Sequence, residues 1–284
     1  MKTAIMTDSN TGLSNAQAQE LGVYLLPMPV IIDGNVYFEG ENLTAEEFFT
    51  SLEEGKDVTT SQPSPGDVMD MWDQIFADGY DEVVYIPMSS GLSSSCASAK
   101  GLALDYEDKV FVVDNHRISV TMVLAVKTAV QLKEEGKTGR EIQEILEKQA
   151  FDSSIYLAVN TLEYLKKSGR VTAAGATVAA VLNIKPVLTI QGEKLDAFAK
   201  AKGMKKAKKV MLAAIAKDVE SRFPDFENKK IIGAAGAGLT EEEKEKWMAE
   251  IADAFPGAEV FYSPLSLSVC AHTGPGAYGI GISV

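Results

Sequence analysis

Five short segments of this 284-residue chain gather hydroxyl, carboxylate, histidine and arginine side chains beside turn-forming residues. They are Thr7-Asp8-Ser9-Asn10, Thr59-Thr60-Ser61-Gln62-Pro63-Ser64, Ser89-Ser90-Gly91-Leu92-Ser93-Ser94-Ser95, Ser168-Gly169-Arg170 and His272-Thr273-Gly274-Pro275-Gly276. Hydroxyls next to a cation or an imidazole suit an anion: neutral donors grip its oxygens and the guanidinium supplies countercharge. The serine-rich segment fits twice over, because it runs into a predicted helix whose free N–H groups and dipole favour negative charge. Ser93 there also suits a plain helix cap, and the two roles are compatible. Arg170, just after Gly169, equally suits the C-terminal end of a helix. Of the two histidines, His116 and His272, the second precedes Thr-Gly-Pro-Gly, a backbone that can pass close to another group.

The same residues fall short of the known catalytic patterns. A serine hydrolase can be assembled on paper from Ser93, His272 and either Asp114 or Asp8. Yet Gly91-Leu92-Ser93-Ser94-Ser95 lacks the closing glycine of the nucleophile elbow. Cys270 and His272, two residues apart, would share a face in an extended segment, which is the arrangement a thiol nucleophile needs. Neither a Walker loop nor a G-x-G-x-x-G after a strand is present. Cys96 and Cys270 stand in no metal-ligand spacing, so no metal site is expected. What remains is an anion-friendly polar cluster.

The elements that must position this cluster are short apolar runs alternating with helical patterns. Residues 3–7 read as a strand and 14–21 as a helix. Residues 24–32 are apolar and extended, interrupted by Pro27 and Pro29, and Asp33-Gly34-Asn35 turns them into 36–38 as a hairpin. Thr44 and Glu47 form a capping box. Residues 83–87 and 110–113 have the character of fully buried strands, each leading into a helical stretch, about 93–104 and 119–135. That alternation predicts a parallel sheet covered on both faces, in one α/β domain over residues 1–152. Two of the polar segments follow its strands, at the carboxyl ends where open parallel sheets bind ligands.

Residues 153–284 form a second set. It has a strand at 155–159, a short helix at 162–167 stopped by Gly169, and a hairpin of 187–190 and 195–199 around Gly192-Glu193. An amphipathic helix at 204–223 leads to a strand at 230–234. A helix capped by Thr240 ends near 255, and strands at 260–262 and 278–283 close the sheet.

Composition narrows the function classes. Apolar residues make up 46% and charged residues 24%, a globular balance that can bury a core and spare apolar side chains for an internal cavity. The net charge of -13, from 40 acids and 27 bases, argues against nucleic-acid and anionic-lipid surfaces as partners. Residues 200–209 nevertheless hold six lysines, either a solvated helix start or a docking surface for an acidic partner. No window approaches 18 uncharged apolar residues, and Asp8 interrupts the apolar N-terminus, so no membrane insertion is expected. Cys96 and Cys270, far apart in sequence, best suit reduced thiols in a cytoplasmic location, with a structural disulfide left open.

Taken in order, the polar segments resemble the DegV family of bacterial fatty-acid-binding proteins. The resemblance rests on Thr7-Asp8-Ser9, Thr60-Ser61-Gln62-Pro63-Ser64 and Ser89-Ser90-Gly91-Leu92-Ser93. It continues through Asn160-Thr161-Leu162-Glu163-Tyr164-Leu165-Lys166-Lys167-Ser168-Gly169-Arg170, Leu182-Asn183-Ile184-Lys185-Pro186 and His272-Thr273-Gly274-Pro275-Gly276. It implies a fold class of two α/β domains, with a parallel sheet in the N-terminal domain, a mixed sheet in the C-terminal domain and a long-chain fatty acid at their junction. It implies a ligand-binding set of Thr60, Ser61, Ser93, Arg170 and His272 around the carboxylate, with the choice between Thr60 and Ser61 open. It further implies a carrier with no cofactor and no catalytic residue of its own, which presents the bound acid to a separate ATP-dependent fatty-acid kinase for phospholipid synthesis.

The chain departs from the family pattern in three places. Ser94-Ser95-Cys96 stands where Gly-Thr-Tyr is common, Asn115 replaces a serine, and lysine replaces an arginine within Ala199-Lys200-Ala201-Lys202-Gly203. The small-residue stretch Ala173-Ala174-Gly175-Ala176-Thr177-Val178-Ala179-Ala180-Val181 suits either room for the acyl tail or simple close helix packing. The alternatives from other classes are a serine-type acyl-ester hydrolase and a lipid-responsive regulatory protein.

Overall fold

Buried runs and capped amphipathic helices build three sheets, seen in a computed structural model that describes residues 1–176, 183–190, 194–223, 226 and 230–284. The chain begins with β1 (Thr3–Asp8), α1 (Asn15–Glu20), β2 (Val23–Leu26), β3 (Pro29–Ile32), β4 (Asn35–Phe38), α2 (Ala45–Glu53) and β5 (Val58–Thr60). There follow α3 (Pro65–Ala77), β6 (Glu82–Ile86), α4 (Ser95–Ala103), β7 (Val110–Val112), α5 (Ser119–Glu134) and α6 (Gly139–Lys148). After these come β8 (Ser153–Ala158), α7 (Glu163–Ser168), α8 (Ala173–Ala176), β9 (Ile184–Ile190), β10 (Asp196–Lys202) and α9 (Met204–Arg222). The last described elements are β11 (Ile231–Gly236), α10 (Glu241–Ala254), β12 (Glu259–Pro264), α11 (Leu267–Thr273) and β13 (Tyr278–Ser283).

The first sheet has the order β2-β1-β6-β7 and is parallel throughout. Every residue of β1 and β6 is buried, as expected of strands covered on both faces. Alternation along the strands divides the packing. Met6, Val83 and Tyr85 meet Trp72, Ile75 and Cys96 from α3 and α4. Ile5, Val84 and Ile86 meet Ala18, Ala125, Ile142 and Leu146 from α1, α5 and α6.

The second sheet has the order β10-β9-β8-β13-β11-β12; only β11 and β12 pair in parallel, so it is mixed. The third, β4-β3-β5, is antiparallel. Its Val30, Ile32 and Val58, with Phe48 of α2, share one core with Leu157, Leu188, Ala235 and Leu267. This small sheet from the first part of the chain therefore lies against the large sheet of the second, and it carries the end of β5 across to α11.

Several local expectations are corrected. The extended run at 24–32 splits at its prolines: β2 joins the parallel sheet and β3 the small antiparallel one. β5 has only three residues, too few to register as an apolar pattern. The structure adds the helices α3 and α6, whose capping boxes are Ser64 with Asp67 and Thr138 with Glu141. The predicted helix at 93–104 starts at Ser95. β9 and β10 pair antiparallel, while the Gly192-Glu193 turn, the stretch 177–181 and Leu182 lie outside the described residues.

Candidate functional site

Thr60 closes β5, paired with Val30 on β3. Its Oγ1 lies 2.8 Å from Nε2 of His272, across 212 positions of sequence. His272 sits in the last turn of α11, whose N-cap Ser266 accepts the Val269 N–H. Beyond it the backbone turns at Gly274 and Gly276, both left-handed (φ 72° and 69°). A Cβ at Gly274 would come 2.5 Å from the Tyr164 ring, and one at Gly276 would come 2.5 Å from the Asn160 amide nitrogen. The loop thus rests on the segment leading into α7, and Asn160 Nδ2 donates to Pro275 O at 3.0 Å.

Gly169, also left-handed, ends α7 and releases Arg170. The guanidinium does two jobs. Nη1 donates to Ser168 O at 2.5 Å, which serves the helix end, and Nε donates to Leu92 O at 3.3 Å, beside Ser93. Among the described residues it has no carboxylate partner. The Ser93 hydroxyl accepts the Ser95 N–H at 3.1 Å, and the N-cap of α4, Ser94, makes no side-chain cap. Ser61 follows Thr60 on the exposed side; of these two adjacent residues, Thr60 is the one hydrogen-bonded to His272.

All five, Thr60, Ser61, Ser93, Arg170 and His272, line one cavity. Its apolar wall is Met28, Met88, Leu92, Ile118, Leu165, Leu195 and Val269, and its other polar members are Asn10, Gln62, Ser268 and Thr273. Thr60, Arg170 and His272 also line a wider cleft that contains Lys56, Lys167, Glu163 and Tyr164 beside Leu52, Val58 and Ala271. The three side chains stand between an apolar chamber and this vestibule, which is where the charged side chains are.

Burial, and then the charge of Arg170, pushes His272 down to about 4. The imidazole is therefore neutral at pH 7, with a buried Nδ1 that has no hydrogen-bond partner among the described residues. One guanidinium without a carboxylate, one hydroxyl and one neutral imidazole make a site of net positive charge, suited to a monoanion. Sequence reading overlooked Ser268, because the first turn of α11 shows no helical pattern of its own. Asn10 and Gln62 lay within the polar segments without being singled out.

The catalytic alternatives are not what these contacts build. α11 is a helix, so Cys270 and His272 do not share a face as they would in a strand. The Cys270 Sγ–H donates to Leu265 O, and burial pushes the thiol well up, away from a reactive thiolate. Asp8 accepts from Asn10 and Met88, while Asp114 lies 3.9 Å from His116. His272 is bonded to Thr60. Among the described residues, no group of histidine, cysteine and acidic side chains could hold a metal ion, and no helix is long and apolar enough to cross a membrane. The lysine cluster divides: Lys200, Lys202, Lys205, Lys206 and Lys209 are exposed, whereas Lys208 is buried and paired with Glu250 at 2.8 Å.

Comparison with known proteins identifies the family. A family model described as "Uncharacterised protein, DegV family" matches residues 2–284. A DegV domain-containing protein of Deinococcus radiodurans is 30% identical over 283 residues, covering 99% of this chain and 98% of the relative. A DegV family protein of Thermus thermophilus, described for its fatty-acid binding, superposes with a TM-score of 0.88 at 32% identity over 100% of both chains. A DegV lipid-binding protein of Thermotoga maritima gives 0.85 at 25% identity, over 100% of this chain and 99% of the other.

Proposed function

The chain belongs to the DegV family, and on that premise we propose that it holds one long-chain fatty acid, tail in the apolar chamber and carboxylate at Thr60, Arg170 and His272. Ser93 supplies a further hydroxyl, and Ser61 flanks the opening. One observation carries this reading: side chains from β5, α11, the loop before α4 and the residue after α7 converge on one cavity whose remaining wall is mostly apolar.

The energetics suit a carrier. A long acyl chain has roughly 14 methylenes, and at about 0.8 kcal/mol each their burial contributes on the order of 11 kcal/mol before association costs. The tail provides affinity, and the polar end provides direction, since a buried carboxylate without donors and a countercharge would cost several kcal/mol. In this reading the acid lies at the junction of two domains, 1–152 and 153–284. The chain has no catalytic residue of its own and works in the cytoplasm, and the vestibule is where a separate ATP-dependent fatty-acid kinase reaches the carboxylate. Thr60, Arg170 and His272 line the vestibule as well as the chamber, so a carboxylate held there faces outward.

Organic extraction of the purified protein, followed by mass spectrometry, tests the proposal. A long-chain fatty acid approaching one per chain is expected. Finding none, and no uptake when fatty acid is added, would refute it.

A further inference from the structure

One carboxylate lies behind two walls of the chamber. Asp8 ends β1 and is fully buried. Its Oδ1 accepts the Asn10 N–H at 2.9 Å and the Asn10 Nδ2–H at 2.7 Å, and its Oδ2 accepts the Met88 N–H at 2.9 Å. The first arm continues through Asn10 Oδ1, which accepts the Ser268 hydroxyl at 2.7 Å and the Ser266 hydroxyl at 3.5 Å. Ser266 is the N-cap of α11, and His272 is at the other end of that helix. The second arm leads from Met88 directly into the loop that carries Ser93, where Ser89 N–H donates to Arg117 O at 2.8 Å.

We propose that Asp8 is the positioning residue of the carboxylate site, a single buried acceptor that sets the Ser93 loop and the His272 helix at a fixed spacing. This rests on the carrier reading and adds a residue to it. An ionised carboxylate only accepts, which matches three N–H donors arriving from two directions. An amide at position 8 keeps one acceptor oxygen and turns an N–H toward the other arm, which it must release. Protonating Asp8 has the same consequence, because one oxygen becomes a donor.

Burial pushes the Asp8 carboxyl up to about 6, against the lowering effect of the Met88 and Asn10 hydrogen bonds. On β6 the titratable group that senses its charge is the Tyr85 phenol, itself pushed up. β2 sets Leu26 beside it, and α5 has no ionisable residue before Lys127. On the α11 side Glu39 accepts the Leu267 N–H, and His272 lies at the far end. A carboxyl raised on folding stabilises the fold fully below its unfolded value of 3.8, and that contribution is lost as pH rises through 6. Acid therefore favours the fold at this residue while it releases an arm of the site. A purely structural residue would move stability and binding together.

The test measures fatty-acid retention and thermal stability of the delipidated, reloaded protein from about pH 5 to pH 8, using palmitate as probe. The natural chain should lose retention on the acid side of about pH 6, while its thermal stability measured against that of Asp8→Asn should not fall over the same range. Asp8→Asn should bind about tenfold more weakly at pH 7 and show no transition in that range. Asn10→Ala, which leaves the bond from Met88 N–H to Asp8 but removes the Asn10 Nδ2 contacts with Asp8 and with Met88 Sδ, should weaken binding but keep the transition, and it carries the test should Asp8→Asn not fold. An Asp8→Asn protein with natural affinity and pH profile, or an Asn10→Ala protein with natural affinity, would overturn the inference and leave the carrier reading intact. Failure of the natural chain to bind palmitate at any pH would overturn both.

Discussion

The chamber and the vestibule share Thr60, Arg170 and His272, yet the rest of their walls belong to different chemistry. The chamber is enclosed by two methionines, three leucines, Ile118 and Val269. The vestibule presents Lys56, Lys167, Glu163 and Tyr164. Methionine and branched aliphatic walls reward burial of methylenes in proportion to area and adapt to their shape. Lysines in an open cleft add little to affinity, because water and salt screen them. Under the proposed carrier role, the contrast divides affinity from access across three shared residues.

The largest test of that division is to fill the chamber. Val269→Phe should reduce palmitate affinity by at least about a hundredfold, since a bulkier side chain takes the space of the tail; isothermal titration with a check of folding by circular dichroism measures it. An unchanged affinity would move the tail elsewhere. Arg170→Ala removes a charged hydrogen-bond donor at the boundary and should weaken binding about thirtyfold, as read by the same titration.

A third test concerns His272. Burial and Arg170 hold it at about 4, and an arriving carboxylate should raise it by about one unit. Imidazole NMR titration with and without palmitate reports the shift. Its sign also governs stability: a depressed histidine contributes stability above its unfolded value of 6.5, and that contribution is lost as pH falls through 4. The smallest effect is expected in the vestibule. Lys167 pairs with Asp57 at 2.7 Å, both largely exposed, so Lys167→Ala should change palmitate affinity less than about twofold. A tenfold loss would erase the distinction between the two regions.

The two regions also differ in how far the sequence discloses them. The parallel sheet is legible because strands buried on both faces are continuous apolar runs, as in Glu82–Ile86. The chamber is not, because its walls are single residues from many elements. No local period links Thr60 to a histidine 212 residues away. The elements carrying the site are too short to show a period: β5 has three residues and α11 has seven. Thr60 and Ser61 are adjacent and look alike in sequence. Choosing between them requires the register of β5 on β3 and the position of α11, which are tertiary facts. The family resemblance gathered five residues that physical chemistry alone left as separate polar segments. The Asp8 network was legible only as a polar turn, since its distant partners come from the loop after β6 and from the start of α11.

The account turns on where the carboxylate lies, and a crystal structure of the palmitate complex decides it most directly. The predicted result is a carboxylate within about 3.2 Å of Thr60 Oγ1 and His272 Nε2, with the tail against Met28, Met88 and Ile118. A tail lying in the vestibule beside Lys56 and Lys167, or a carboxylate away from these side chains, would contradict it.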